Sequence, residues 1–152
     1  SDVYKRQVKM HTLLDYDCLL PEFVNITDGK RSDNKATFDI EIKPHSIVVA
    51  DRGYCDYGLL NHWDSNNVFY VGRHKDNIRY RTIEELPLPK QHTQNVLMDE
   101  SIEFGLPAAK EKFPKRLKRI AVWNDEHGFV IELLTNNFTL AASTIAKLYK
   151  AR

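Results

Sequence analysis

A chain of 152 residues, 42% of them hydrophobic, is long enough for one ordinary core and too short for two domains of independent size. A formal net charge of +1 shows no overall bias toward polyanions, so any nucleic-acid surface has to be sought in local clusters. Cys18 and Cys55 lie far apart and outside any C-x-x-C or Cys/His spacing, which indicates neither a disulfide framework nor a zinc site. No apolar run approaches the roughly 20 residues that span a bilayer, so a cytoplasmic chain without a membrane partner is expected.

In chain order, residues 1–7, SDVYKRQ, fit neither a capping pattern nor the alternation that begins at Val8, and look like a translated sequencing-adaptor remnant; they are expected to lie outside the fold. Val8 to Leu14 alternates as a strand, and LPEFVNITDG supplies a second strand and a turn at Asp28-Gly29, so residues 8–29 read as a hairpin. Ser32 or Asp33 caps an expected helix through Lys35, Phe38 and Ile42, ended by Pro44. The run from Ile47 to Ala50 suits a strand buried on both faces and stops at Asp51. A short helix, Tyr57 to Trp63, presents Leu59, Leu60 and Trp63 as one stripe, and NVFYVGR returns as a strand parallel to the first.

From His74 to Asn136 the character becomes mostly β. RYRTIEELPLP, TQNVLMD, KRIAVWND and GFVIELLTNN read as short strands, the last two joined by a hairpin loop at Asp125 to Gly128. The chain closes on a helical pattern in which Ala141, Ile145, Leu148, Tyr149 and Arg152 share a face. This predicts an α/β core over residues 8–73, a β-rich insertion over 74–136 and the start of a helix over 137–152.

An acid where a buried strand leaves the sheet is where open α/β folds place ligand chemistry, which makes Asp51 the first candidate; a turn former or helix cap is the commoner role for such an Asp. The segments KMHTLLDYD, LPEFVNITDGKRSDN, VVADRGYCD, FYVGRHKDN, IELLTNNF and STIAKLYKAR resemble, in that order, insertion-sequence DDE transposases of the YREK subgroup. The resemblance covers essentially all of Val8 to Arg152 and implies a ribonuclease-H-like fold, truncated here before its first strand and within its last helix.

It further implies three carboxylates holding two Mg²⁺ (or Mn²⁺) ions for DNA cleavage and strand transfer, with transposon ends and target DNA as partners and a homodimer in the synaptic complex. Asp51 matches the second Asp, Tyr54 the aromatic of the Asp-x-Gly-Tyr pattern, and Tyr149 and Arg152 the Tyr and Arg of the Tyr-x2-Arg-x3-Glu-x6-Lys signature. Its Glu would fall four residues past Arg152, and the first Asp before Val8, so this fragment is expected to carry one of three metal ligands and to be inactive alone. The alternatives are a non-catalytic DNA-binding derivative of a transposase and a ribonuclease-H-like nuclease outside transposition.

Two cationic clusters are candidate phosphate contacts. Arg73 and Lys75 flank His74 and are followed by Arg79 and Arg81; the run from Lys110 to Arg119 holds six cations, including Lys115, Arg116, Lys118 and Arg119, against one acid. A solvated surface is the plainer reading of both. Asp15 and Asp17 read as surface and turn acids, Lys9 and His11 as a solvated strand face, and Trp63 and Trp123 as core.

Overall fold

The computed structural model describes residues 23–26, 41–50, 56–74, 78–88, 90 and 95–152. Its elements in chain order are β1 (Phe23–Ile26), β2 (Ile47–Ala50), α1 (Tyr57–Ser65), β3 (Phe69–Arg73), β4 (Tyr80–Glu85), β5 (Val96–Phe104), α2 (Pro107–Lys112), β6 (Leu117–Asn124), β7 (Phe129–Thr135) and α3 (Ala142–Ala151). The described strands form one seven-stranded sheet in the order β1-β2-β3-β7-β6-β5-β4. Its first three strands are parallel, and from β3 onward every neighbour is antiparallel. The residues expected as a β-rich insertion therefore extend the same sheet.

Strand alternation divides the core into two layers. Val49, Val71, Ile120, Val122, Ile131 and Leu133 face α3, whose Ala142, Ile145, Ala146, Leu148 and Tyr149 are buried against them. Val48, Ala50, Tyr70, Leu117 and Leu134 face the other way, toward Leu59, Leu60 and Trp63 of α1 and Ala109 of α2. Every residue of β2 is buried, as an uninterrupted apolar run between two helical layers requires. Truncating Ile145 or Leu148, both fully buried, to Ala would cost about 2–5 kcal/mol.

Local chemistry sets the connections. Asp56 caps α1, its carboxylate accepting from the Leu59 amide at 3.0 Å. Tyr70 is fully buried and stacks on Trp63 with ring centroids 5.7 Å apart, and any Cβ at Gly72 would collide with the Tyr70 hydroxyl. The β6–β7 hairpin turns at Gly128, whose φ of 68° is the left-handed conformation glycine adopts freely. Asn136 ties the end of β7 to the parallel half: its Oδ1 accepts from the Tyr70 amide at 2.7 Å, and its Nδ2 donates to the Val68 carbonyl and to Asp64 Oδ1.

Three expectations are revised at their edges. Residues 41–43 are not helical, so the helix expected to reach Ile42 does not extend that far; its remainder, like the strand from Val8 and its hairpin turn, lies outside the described residues. Ala141 is the exposed residue preceding α3, and Ala142 and Ala146 take its place in the buried stripe. The short helix α2 was not anticipated: it opens with Pro107 in the first turn, where a missing N–H costs nothing.

Candidate nucleic-acid interface

The end of β3, the β6–β7 hairpin and the last turn of α3 enclose a cavity of about 750 Å³. Its wall brings together Arg73, Tyr149 and Arg152, which the sequence places in separate segments. Arg73 pairs with Leu133 across the antiparallel junction, and its guanidinium lies 5.2 Å from the centre of the Phe129 ring. Phe129 in turn stacks on His127, with centroids 5.9 Å apart. Arg152 covers the Tyr149 ring at 3.8 Å and donates through Nη1 to the Tyr149 carbonyl at 2.8 Å. Tyr149 itself is only 4% exposed, so its ring is a platform for Arg152 and part of the core at once.

Lys147 and Lys150 on α3 add two cations that the sequence reading did not single out. Their signal was available: spaced by three residues, they fall beside each other on the helix that carries Tyr149 and Arg152. Among the described residues of the cavity wall they make four cations with Arg73 and Arg152, against two acids, Asp125 and Glu126. Two of these cations are planar guanidiniums held over aromatic rings, Arg73 over Phe129 and Arg152 over Tyr149, and a guanidinium fork has the geometry for bidentate hydrogen bonds to an oxyanion.

The basic run from Lys110 to Arg119 has a different fate, and none of it lines the cavity. Lys118 and Arg119 are 4% and 6% exposed, which removes both from the surface where DNA contact was expected. The reason is strand geometry: both lie on β6, between β5 and β7, and successive residues point into opposite layers. Lys118 pairs with Asp99 at 3.4 Å and donates to the Leu140 carbonyl at 3.0 Å. Arg119 binds Glu100 at 3.0 Å and Glu132 at 2.6 Å, with Tyr80 stacked on its guanidinium at 4.9 Å.

The protonation equilibria follow these surroundings. Burial raises the Asp99 carboxyl above its ordinary value, and the charge and hydrogen bond of Lys118 only partly oppose it. Burial works against the Arg119 charge as well, but the hydrogen bond and charge of Glu132, with Tyr80 and Glu100 beside it, hold the guanidinium above the ordinary arginine value. Lys115 and Arg116 are exposed yet engaged: Lys115 pairs with Asp64 at 2.6 Å, and Arg116 lies 3.9 Å from Glu103. Glu103 also faces Arg81 at 2.9 Å and Lys110 at 3.7 Å, and the hydrogen bond from Arg81 leads the effects that lower its carboxyl.

Asp51, Tyr54 and Lys75 lie outside the described residues. Ala50, which precedes Asp51 in the sequence, pairs with Gly72, which precedes Arg73. Among the described residues no group of three His, Cys, Asp or Glu side chains could hold a metal ion. Of the two tryptophans expected in the core, Trp63 is buried but Trp123, next to the last residue of β6 at the hairpin end of the sheet, is 40% exposed; its cross-strand neighbour Val130 is 45% exposed.

Comparison with known proteins decides the family. The family model described as "Transposase DDE domain" matches residues 2–152. The chain belongs to that family. A Sinorhizobium fredii protein named as a transposase, y4zB, is 30% identical over 149 residues, covering 97% of this chain and 41% of the relative. A Geobacillus stearothermophilus protein named as a transposase for insertion sequence element IS5377 is 27% identical over 145 residues, covering 95% of this chain and 37% of the relative. The chain thus spans about two fifths of the length of these curated relatives. No helix among the described residues is long and apolar enough to cross a membrane.

Proposed function

We propose that this chain is a portion of a transposase that cuts DNA at insertion-sequence ends and joins them to a target. The observation that carries this reading is the cavity, where Tyr149 and Arg152, which resemble the Tyr and Arg of the YREK signature, share a cationic, aromatic-backed wall with Arg73. In it Arg152 and Arg73 grip phosphates of the transposon end, Lys147 and Lys150 extend the grip along the backbone, and Tyr149 fixes the Arg152 fork. The parallel half of the sheet then corresponds to a ribonuclease-H-like core, residues 8–73, and the antiparallel half to the insertion, 74–136, ahead of the helix at 137–152.

Asp51 is the metal ligand in this reading, supported by Tyr54, with the other carboxylates supplied from outside this chain. Two Mg²⁺ or Mn²⁺ ions, when bound, would activate the attacking water or 3′-hydroxyl and stabilise the leaving oxygen. The full-length enzyme acts as a homodimer on paired DNA ends in the bacterial cytoplasm, associated with the nucleoid. This portion binds DNA without cutting it, because a lone carboxylate holds a hard cation weakly.

The binding half of the proposal is tested by the salt dependence of affinity for a duplex carrying the element's end. Arg73→Ala and Arg152→Ala should each lower the log–log slope by roughly 0.9 for every phosphate no longer neutralised, with the thermal midpoint unchanged. Arg116→Ala, outside the cavity, should leave the slope alone; equal losses in all three would place the DNA elsewhere. The catalytic half is tested in the full-length parent, where Asp51→Asn should abolish divalent-cation-dependent nicking and leave end binding intact. Persistent nicking would remove Asp51 from the metal site.

A further inference from the structure

We infer that Lys118 is a positioning residue: its buried ammonium, paired with Asp99, grips the Leu140 carbonyl and so fixes the direction in which α3 carries Tyr149 and Arg152 to the cavity. The inference rests on the cavity reading above for its functional consequence and on geometry alone for the clamp.

Helix α3 lacks the usual means of holding its start, since Ala141 precedes it and no side chain caps its first turn. The peptide ahead of it is held from both sides instead. Asn137 Oδ1 accepts from the Thr139 amide at 3.0 Å and the Leu140 amide at 2.9 Å, while Lys118 Nζ takes the Leu140 carbonyl. Lys118 stands on β6, paired with Ser101 of β5 and Thr135 of β7, so the clamp is anchored inside the sheet.

A pair of apolar side chains in place of Lys118 and Asp99 would fill the space at little loss of stability, because the attraction of a buried ammonium and carboxylate only about repays the cost of taking both from water. Here the repayment is incomplete: Asp99 Oδ1 and Ser101 Oγ, both buried beside Lys118, have no hydrogen-bond partner among the described residues. What the group supplies is direction. Tyr149 and Arg152 lie roughly 14 to 18 Å along the axis from Leu140, at about 1.5 Å per residue. A tilt of about 10° at Leu140 would move them by roughly 2 to 3 Å relative to Arg73 on β3, enough to misplace the cations of one wall against each other.

The test uses the full 152-residue chain with Asp99→Leu and Lys118→Met together, read by amide hydrogen exchange and by binding of a DNA duplex carrying the element's end. The expected result is a thermal midpoint close to the parent's, exchange at residues 145–148, the first α3 amides that bond back along the helix, at least tenfold faster, unchanged exchange in β7, and DNA affinity weakened several-fold. Lys118→Arg, which keeps a cationic donor toward Leu140, should restore slow exchange where Lys118→Met alone does not. A folded double variant with α3 amides as protected as the parent's would overturn the clamp. Loosened amides with unchanged affinity would overturn its functional role, whereas a parent that binds no DNA counts against the cavity reading alone. Should the double variant fail to fold, the unaltered chain decides: a Lys118 ammonium that exchanges slowly and shows contacts to Leu140 supports the clamp, and one that exchanges freely overturns it.

Discussion

Lys118 and Arg119 on β6 and Lys147, Lys150 and Arg152 on α3 are cations of the same kinds, yet the fold uses the two sets in opposite ways. The β6 pair lies in the interior, each side chain committed to carboxylates on neighbouring strands. The α3 set, with Arg73, stands on the wall of a cavity where, among the described residues, cations outnumber acids. The difference teaches that a basic stretch of sequence carries no meaning until its environment is known: a buried cation must be neutralised within the protein, whereas an exposed one can be left to solvent.

The largest expected effect comes from breaking the interior set. Arg119→Leu would leave Glu100, 2% exposed, as a buried carboxylate without its guanidinium, and should cost about 3–5 kcal/mol in urea unfolding. Replacing Glu100 by Leu in the same chain should recover most of that loss, because the removed pair no longer leaves a charge behind. A single Arg119→Leu variant as stable as the parent would mean that Arg119 is solvated and belongs with the exposed set.

That contrast shows where the sequence could be read and where it could not. Val48 and Val49 fill opposite layers, so an apolar run alone was enough to announce a strand buried on both faces. The strand-helix-strand unit and the β6–β7 hairpin were equally legible, because a helix cap, an apolar stripe and a glycine turn are local chemistry. The pairing of β7 with β3 is a contact between distant segments, and no local signal marks it. The fate of Lys118 and Arg119 depended on that same nonlocal information, since Asp99, Glu100 and Glu132 had to be brought beside them. Arg73 and Arg152 were picked out, one from a charged cluster and one from a family signature, but only the assembled sheet puts them in one wall. Lys147 and Lys150 were overlooked because a lysine on a polar helix face is ordinarily solvated.

A smaller effect separates the two interior cations by pH. Because burial raises the Asp99 carboxyl, the folded chain binds its proton more readily than the unfolded chain does. Asp99 therefore favours the fold below its ordinary value of 3.8, and this contribution is lost as pH rises through its higher folded value. Asp99→Asn should gain stability relative to the parent with rising pH across that window, measured by urea unfolding at a series of pH values. A relative loss with rising pH would mean that Lys118, rather than burial, governs Asp99.

The smallest effect on stability is expected at Glu103, which gathers Arg81, Lys110 and Arg116 on the outside of the sheet. Glu103→Gln should leave the unfolding midpoint at neutral pH within measurement error, since exposed ion pairs are screened and add little. Its use is in sharpening the contrast between the two sets of cations. The substitution frees three exposed cations far along the chain from α3 without touching the cavity. If the cavity alone holds DNA, the affinity and its salt slope should stay where they were. If the exposed members of the basic run also hold DNA, releasing them from Glu103 should tighten binding and steepen the slope, and the interface would have to be drawn across the outer strands of the sheet as well.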